Sequence, residues 1–397
     1  PAVFGVAWST AVVYGLALLV LACPCAFVIS TPVSVVSGIT SAAKNGVLIK
    51  GGNHLEAMGE VDAVAFDKTG TLTRGELAVT DVLPLGGHEE ADVLRYAAGL
   101  ERRSEHPIAS AIMARSDRAG IENLPVPSAF ESLTGKGVQA EIDGQTYYAG
   151  KPALFDDLGF DLSASPHRTD GGALTGRSAA DDIADALADL EREGKTVVLV
   201  GTESELLGML AIADEVRPGA RRTVERLHEL GVEHVVMLTG DNEGTARAIA
   251  EEVGVDEYRA ELLPDEKVEA IREVRDAYGD VAMVGDGVND APALATADVG
   301  VAMGAAGTDT ALETADIALM GDDIGKLPYL YALSHTANGV IRQNIWASLG
   351  VKALLALGVP LGFVSVAVAV VVGDMGMSLG VTGNAMRLAR IDPERFA

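Results

Sequence analysis

The sequence predicts a multidomain membrane protein in which transmembrane α-helices adjoin a large soluble α/β part. The chain of 397 residues carries a formal charge of −27, yet 48% of its residues are hydrophobic. Residues 1–43 contain no Asp, Glu, Lys or Arg, whereas residues 44–338 contain 54 of the 57 acidic residues. We therefore expect the ends in an apolar environment and the middle in water. So acidic a surface argues against nucleic acid as a partner, because binding phosphates needs the opposite charge.

The uncharged ends have the length of membrane helices. Residues 3–39 are uncharged, and about 20 apolar residues suffice to cross a bilayer. Residues 341–382 contain only three charged residues, and Gly358-Val359-Pro360 breaks this stretch into two predicted helices, 339–357 and 361–383. We expect a multi-pass protein of the cell membrane, with the lipid bilayer as a partner, and a chain that is part of a longer protein.

Basic residues beside these segments indicate their orientation. Lys44 and Lys50 follow the first segment, Arg342 begins the second, and Arg387 and Arg390 follow the third. Basic residues at helix ends favour the cytoplasmic side of a membrane. The large acidic part is therefore predicted to be a cytoplasmic loop.

Short apolar runs in the middle resemble buried parallel strands with polar residues at their tips. Three such runs end at Asp67, Thr239 and Asp286. Amphipathic stretches predicted to be helices separate them, which indicates a doubly wound α/β sheet. The strands are predicted at Ala63–Phe66, Val235–Leu238 and Val281–Val284, and the helices at 215–230, 243–253 and 265–278.

The three strand tips should converge at one crevice and support phosphoryl chemistry. Asp67 and Asp286 could share a Mg²⁺ ion, which prefers oxygen ligands. One carboxylate would then be the nucleophile that forms an aspartyl-phosphate, and Lys267 could neutralise phosphoryl charge. Taken singly, each Asp could instead be a surface turn or a helix cap.

The motifs DKTGT at 67–71, TGD at 239–241 and GDGVNDAP at 285–292 resemble those of the P-type ATPases. This family is a branch of the haloacid-dehalogenase-like phosphotransferases. The resemblance implies that ATP phosphorylates Asp67. It further implies Mg²⁺ ligands at Asp67, the Thr69 carbonyl and Asp286, and phosphate-contacting or site-ordering residues at Thr239, Lys267, Asn289 and Asp290.

Thr69 stands where simple phosphatases of this fold place a general acid/base Asp. Water is therefore not activated by default, and we expect the aspartyl-phosphate to persist long enough to drive a conformational change.

An insert interrupts the predicted sheet between residues 77 and 205. It contains Glu101, Ser104-Glu105-His106-Pro107 and a glycine pair, Gly135 and Gly137. Alone, these residues could be core packing or a turn; together they resemble the adenosine-binding domain of heavy-metal-transporting P-type ATPases. The predicted domains are a helix with a metal site (1–43), a phosphorylation domain (44–76 and 206–335), a nucleotide-binding domain (77–205), and two membrane helices with a short tail (336–397).

Cys23-Pro24-Cys25 lies within the first apolar segment. In a regular helix the two thiols would point about 200° apart, but Pro24 removes a backbone hydrogen bond and can unwind the helix locally. Both sulfurs could then reach one metal; alternatively, they pack as small apolar side chains beside a kink. The motif resembles the transport site of heavy-metal P-type ATPases.

Two intramembrane charges, Lys352 and Asp374, bear on the metal, because such charges are costly unless paired or functional. They could form a purely structural pair. Counted from Asn344 and Asn384, however, they occupy the Asn and Met positions of the copper class's motifs, and they resemble the zinc/cadmium/lead class instead. The resemblance implies that Asp374 binds metal with Cys23 and Cys25, with Lys352 as a built-in counter-ion.

The sequence thus predicts ATP-driven export of Zn²⁺, Cd²⁺ or Pb²⁺ through an aspartyl-phosphate. Three alternatives remain open: a Cu(I)-exporting P-type ATPase, a membrane-anchored phosphohydrolase, and a chain that binds ATP and metal without cycling.

Overall fold

The computed structural model divides the chain into two compact units. Unit 1 comprises Pro1–Asp67, Gly219–Val236 and Pro264–Ala397, and unit 2 comprises Lys68–Pro218 and Met237–Leu263. The structure describes residues 7–21, 25–104, 106–133, 135–160, 162, 179–286, 290–304, 313–359, 361 and 363–396. Three predicted site residues, Cys23, Glu105 and Asn289, lie outside these ranges.

The described strands and helices have the following bounds. The strands are β1 (Val47–Ile49), β2 (Ala63–Asp67), β3 (Thr73–Pro84), β4 (Ser128–Leu133), β5 (Gly137–Ile142), β6 (Gln145–Gly150), β7 (Thr196–Gly201), β8 (Leu206–Val216), β9 (His234–Leu238), β10 (Glu257–Arg259), β11 (Val281–Gly285), β12 (Val299–Met303) and β13 (Ile317–Leu319). The helices are α1 (Trp8–Leu21), α2 (Cys25–Lys44), α3 (Gly52–Met58), α4 (Glu90–Glu101), α5 (Pro107–Arg118), α6 (Pro152–Asp157), α7 (Ala179–Arg192), α8 (Ala220–Leu230), α9 (Glu243–Val253), α10 (Pro264–Tyr278), α11 (Ala291–Thr296), α12 (Lys326–Gly358), α13 (Val366–Val370) and α14 (Met377–Ala385).

The sheet of unit 1 has the strand order β1-β13-β12-β11-β2-β9. Strands β13, β12, β11 and β2 run parallel, and β1 pairs antiparallel with β13. Every residue of β2 and β11 is buried, as their unbroken apolar runs predict. Strand β9 enters unit 2 at Met237, where β10 lies beside it. The predicted doubly wound α/β domain is confirmed.

The sheet of unit 2 is antiparallel, in the order β3-β8-β7-β6-β5-β4. Helices α4 and α5 contribute Leu94 and Ile112 to one core cluster, and α6 and α7 contribute Phe155 and Leu190 to another. The sheet extends beyond the predicted insert on both sides, because β3 begins at Thr73 and pairs with β8 as far as Val216.

Three predicted helix starts are wrong. The helix predicted from 215 begins at Ala220, since β8 continues to Val216 and Gly219 adopts a left-handed φ of +91°. The helix predicted from 339 begins at Lys326, because its first half buries apolar side chains within unit 1 instead of facing lipid. The helix predicted from 361 begins at Val366, with Ser365 as its N-cap.

The apolar ends of the chain form helices with outward-facing apolar side chains. Ala26–Lys44 and Val366–Arg390 are long and apolar enough to cross a membrane. In unit 1, large apolar side chains that are each exposed by 72% or more lie on α1, on α12 and in the part of the chain that follows α12. Such a surface indicates contact with lipid or with further protein. These side chains are Trp8, Leu19, Trp346, Leu354, Phe363 and Leu379.

Helix α12 connects the sheet of unit 1 to the apolar segments. Its 33 residues span about 50 Å, more than a bilayer core needs. Near its start, the Tyr329 hydroxyl lies 3.1 Å from the Ser41 hydroxyl of α2. Farther along, the Asn338 amide donates to the Glu56 carbonyl at 2.8 Å. This half of α12 is therefore fixed to the part of unit 1 that leads into β2.

Candidate functional site

Three predicted residues meet at the carboxyl end of the central strands of unit 1. Strand β2 ends at Asp67, Lys267 lies in the first turn of α10, and Asp290 precedes α11. The Lys267 ammonium lies 2.5 Å from Asp67 Oδ1 and 2.7 Å from Asp290 Oδ1. The Asp67 and Asp290 side chains are only 7% and 1% exposed. One buried ammonium therefore holds two buried carboxylates together.

The charges in this cluster do not balance. Burial, the nearby Asp290 carboxylate and, more weakly, Asp286 raise the pKa of Asp67 to about 7, although Lys267 opposes this. Burial likewise raises the pKa of Asp290. Burial alone would lower the pKa of Lys267, but the two carboxylates outweigh it and raise that pKa. The cluster therefore attracts further positive charge.

The donor set suits Mg²⁺, which takes carboxylate and carbonyl oxygens and keeps several waters. Asp67 and Asp286, both in unit 1, carry carboxylates of this kind, and Thr69, which belongs to unit 2, has an extended backbone two residues after Asp67. Within the described ranges, no three His, Cys, Asp or Glu side chains already converge as a metal cluster. Lys267 lies between the carboxylates of Asp67 and Asp290 and forms an ion pair with each of them.

The turn after Asp67 is held by residues that the sequence motifs did not indicate. Gly70 adopts a φ of +74°, which reverses the chain before β3. Arg217 donates to the carbonyls of Gly70 and Thr73 at 2.9 and 3.0 Å. Asp214 accepts hydrogen bonds from the Thr73 hydroxyl and, at 2.9 Å, from the Gly75 amide. The one sequence feature that could have indicated this role is the change from apolar to charged residues at the end of β8, just before Pro218-Gly219.

Thr239 and its neighbours belong to unit 2. The buried Thr239 hydroxyl accepts a hydrogen bond from the Asp241 amide at 3.0 Å. The Asp241 carboxylate lies 2.5 Å from the ammonium of the buried Lys68. Thr239 is therefore a fixed polar group at the tip of β9, as predicted, while the ion pair of Lys68 and Asp241 was not predicted.

Four of the five predicted nucleotide-site residues line a cavity of about 190 Å³ in unit 2, and the fifth, Glu105, lies outside the described residues. Glu101, His106, Gly135 and Gly137 all contribute to its wall, together with Ser104. They come from the end of α4, the start of α5 and the turn before β5. Residues far apart in sequence therefore form one concave surface.

Glu101 and His106 present polar groups at this cavity. Glu101 is buried, burial raises the pKa of its carboxyl, and its Oε2 has no hydrogen-bond partner among the described residues. His106 caps α5, with Nδ1 accepting from the Ile108 amide at 3.2 Å. That bond leaves the ring hydrogen on Nε2. The wall thus offers an unsatisfied acceptor and an imidazole donor.

In the apolar segments, Asp374 is the predicted residue with an unsatisfied buried atom. It lies in a π-helical segment, Val371–Gly376, and its Oδ1 is buried without a hydrogen-bond partner among the described residues. π-Helical turns inside α-helices frequently mark functional positions. The next residue, Met375, is 66% exposed. Cys25 begins α2.

Asn344 and Asn384, from which the positions of Lys352 and Asp374 were counted, are in contact. The Asn384 amide donates to Asn344 Oδ1 at 2.9 Å, and the Asn344 amide lies 3.5 Å from the Val381 carbonyl. Lys352 and Asp374 lie eight and ten residues from these landmarks, about 12 and 15 Å along their helices. The two charges therefore lie at a similar depth.

Comparisons with known proteins indicate the family of the chain. Residues 61–298 match the haloacid dehalogenase-like hydrolase family. A probable cadmium-transporting ATPase of Staphylococcus aureus (strain MRSA252) is 46% identical over 98% of this chain and 52% of its own length. A manganese-exporting P-type ATPase of Mycobacterium tuberculosis (strain CDC 1551 / Oshkosh) is 40% identical over 95% of this chain and 50% of its own. A crystal structure of a zinc-transporting PIB-type ATPase in the E2·Pi state matches with a TM-score of 0.83 and 39% identity, over 98% of this chain and 60% of that one.

A buried aspartate held by a lysine at the tip of a parallel sheet, together with the match over residues 61–298, makes this chain a haloacid dehalogenase-like hydrolase. Over nearly its whole length the chain is also similar to P-type ATPases that are described as cadmium-transporting or zinc-transporting. The predicted fold class and family resemblance are confirmed. The chain spans about half the length of the curated relatives it matches.

Substituting the two cavity glycines should give different results. Gly137 has a φ of +153°, and a Cβ there would lie 2.2 Å from the Ala149 carbonyl oxygen. Gly135 has a φ of +74°, but a Cβ there meets nothing within 4 Å. We expect Gly137→Ala to weaken ATP binding more than about tenfold, because the new methyl group forces β5 away from β6. Gly135→Ala adds only about 1 kcal/mol of backbone strain to the folded protein and should weaken ATP binding less. Calorimetric titration with an ATP analogue measures this difference, and equal effects would contradict it.

Replacing Asp67 by Asn tests the charge imbalance in metal-free protein. The pKa of Asp67 is about 7 in the folded protein, above its ordinary 3.8, so this group's contribution to stability is present below about pH 4 and is lost as the pH rises through about 7. We expect Asp67→Asn to melt several degrees above the wild type at pH 8, with the difference vanishing near pH 4. Scanning calorimetry in EDTA tests this, with the surface substitution Asp117→Asn as the control. A difference that does not depend on pH would contradict it.

Proposed function

We propose that the complete protein carrying this chain exports divalent heavy-metal cations, Zn²⁺, Cd²⁺ or Pb²⁺, at the expense of ATP. The single observation that carries the proposal is the pairing of the buried Asp67 with Lys267, at the position of the family's phosphorylated aspartate. The relatives' printed names support metal export. Because the chain spans about half of those relatives, the transport activity is assigned to the complete protein.

Asp67 is the proposed nucleophile toward the γ-phosphoryl group of ATP. Its carboxylate forms the new bond to phosphorus as the bond to ADP breaks. Lys267 neutralises charge on the transferred group and on Asp290. When bound, Mg²⁺ would be held by the carboxylates of Asp67 and Asp286 and would neutralise charge on the phosphate. The Thr69 carbonyl is assigned as a further ligand by resemblance alone. Thr239 and Asn289 are proposed to contact the phosphate.

ATP is proposed to bind through its adenosine part in the cavity of unit 2. The unsatisfied Glu101 Oε2 can accept from an exocyclic amino group, and the His106 ring can hydrogen-bond or stack. Gly135 and Gly137 let the backbone approach the nucleotide. Glu105 is assigned to this site by resemblance alone.

The transported cation is proposed to bind Cys23, Cys25 and Asp374, with Lys352 as its built-in counter-ion. A buried carboxylate oxygen without a partner suits a divalent cation. A Cu(I) site would favour a thioether ligand, yet the neighbouring thioether of Met375 is largely exposed. This contrast favours a divalent cation over Cu(I). The thiolates favour soft or borderline ions among the divalent ones.

The protein is proposed to be a multi-pass protein of the cell membrane with the large loop in the cytoplasm. Exposed apolar side chains on α1, α12 and the final helical segments support burial in lipid. Arg387 and Arg390 at the end of the last segment support a cytoplasmic location for that end.

Metal-dependent ATP hydrolysis by the complete protein in membranes tests the proposal. We expect stimulation by Zn²⁺ or Cd²⁺, its loss below detection in Asp67→Asn and Asp374→Ala, and little change in the neighbouring control Met375→Ala. The physical reason is that Asp67 carries the phosphate and Asp374 binds the cation, whereas the Met375 side chain points outward.

The other outcomes separate the alternatives. Stimulation by Cu(I) alone, lost in Met375→Ala, would establish a copper pump. A rate independent of every metal would indicate a membrane-anchored phosphohydrolase.

A further inference from the structure

Helix α12 carries three polar residues on one face between the sheet of unit 1 and the proposed metal site. Asn344, Ser348 and Lys352 are spaced by four residues, so they lie one above another on the same side. Asn344 and Ser348 are buried, and Asn344 is fixed to the last helical segment through Asn384. Ser348 therefore lies one turn before Lys352, on the face of α12 whose Asn344 contacts Asn384.

The Ser348 hydroxyl is buried and has no hydrogen-bond partner among the described residues. Helical hydroxyls usually avoid this by donating to the carbonyl four residues earlier. Thr336 does so to Ala332 at 2.7 Å, and Thr382 to Ser378 at 2.8 Å. A buried, unsatisfied hydroxyl costs stability, which suggests that it serves another state of the protein.

Lys352 can reach this hydroxyl. Side chains on a helix lean toward its N-terminus, over the residue four positions earlier. For Lys352 that residue is Ser348. An extended lysine side chain spans about one helical turn, so its ammonium can lie at the level of Asp374 or shift one turn lower.

We propose that Ser348 accepts the Lys352 ammonium when a divalent cation occupies Asp374. The inference rests on the proposed function, in which Lys352 is the counter-ion of the metal-free site. A cation bound at Asp374 repels the ammonium, and a displaced charge inside the membrane needs another acceptor. The Ser348 hydroxyl is such an acceptor, and this shift of Lys352 makes metal binding possible without a second transported ion.

Zinc binding to the purified complete protein, measured by equilibrium dialysis at buffered free Zn²⁺, tests the proposal. We expect Ser348→Ala to weaken binding about tenfold, because the ammonium loses its acceptor in the metal-bound state. Ser348→Thr, which keeps the hydroxyl, should remain within about twofold of the wild type. The matched control is Ser334→Ala, which removes another buried hydroxyl of the same helix that also has no hydrogen-bond partner in the described part of the chain, outside the metal region. It should leave zinc binding unchanged.

A double variant separates this role from direct metal ligation. In the background of Lys352→Met, Ser348→Ala should have no further effect, since the hydroxyl acts through the ammonium. A persisting effect would overturn the proposal in favour of a direct ligand, and normal binding by Ser348→Ala alone would overturn it outright. If the wild type binds no zinc while Asp67 is still phosphorylated, the proposed function fails together with this inference. Zinc binding by the wild type with a neutral Ser348→Ala refutes only the inference.

Discussion

The ion pair of Lys267 with Asp67 and Asp290 is the interaction on which the proposed phosphorylation site depends. Asp67 lies at the end of a parallel strand, in a buried position where an unpaired carboxylate would strongly destabilise the fold. Lys267 makes that position tolerable, yet one ammonium does not neutralise the surrounding carboxylates, and the pKa of Asp67 remains raised to about 7. The negative charge that remains uncompensated at this site favours the binding of a cation.

A buried carboxylate oxygen also occurs in the apolar segments at the end of the chain. Asp374 holds an unsatisfied buried oxygen, and Lys352 lies at a similar depth on α12. Helix α12 links this region to the part of unit 1 that leads into β2, through Tyr329 and Asn338. The cluster around Lys267 and the two charges Lys352 and Asp374 thus all belong to unit 1.

The residues that could be predicted from the sequence are those marked by a continuous apolar pattern. The residues that were missed depend on contacts between parts of the chain that are far apart in sequence. Asp67 and Thr239 were found because each ends an apolar strand, and Asp374 because a charge interrupts an apolar helix. Asp214 and Arg217 were missed, since their role is to hold a turn about 145 residues away in sequence. The start of α12 at Lys326 was missed because hydropathy cannot distinguish burial in protein from burial in lipid.

The proposed role of Asp67 can be tested by identifying the residue that carries the phosphate. The complete protein would be incubated briefly with ATP and Zn²⁺, quenched in acid and reduced with borohydride, which converts an aspartyl-phosphate to homoserine. Mass spectrometry of the peptide around position 67 then identifies the product. We expect homoserine at position 67 when Zn²⁺ is present and little without it. An unmodified Asp67, or the same yield with and without metal, would show that Asp67 does not form a metal-dependent phosphoenzyme.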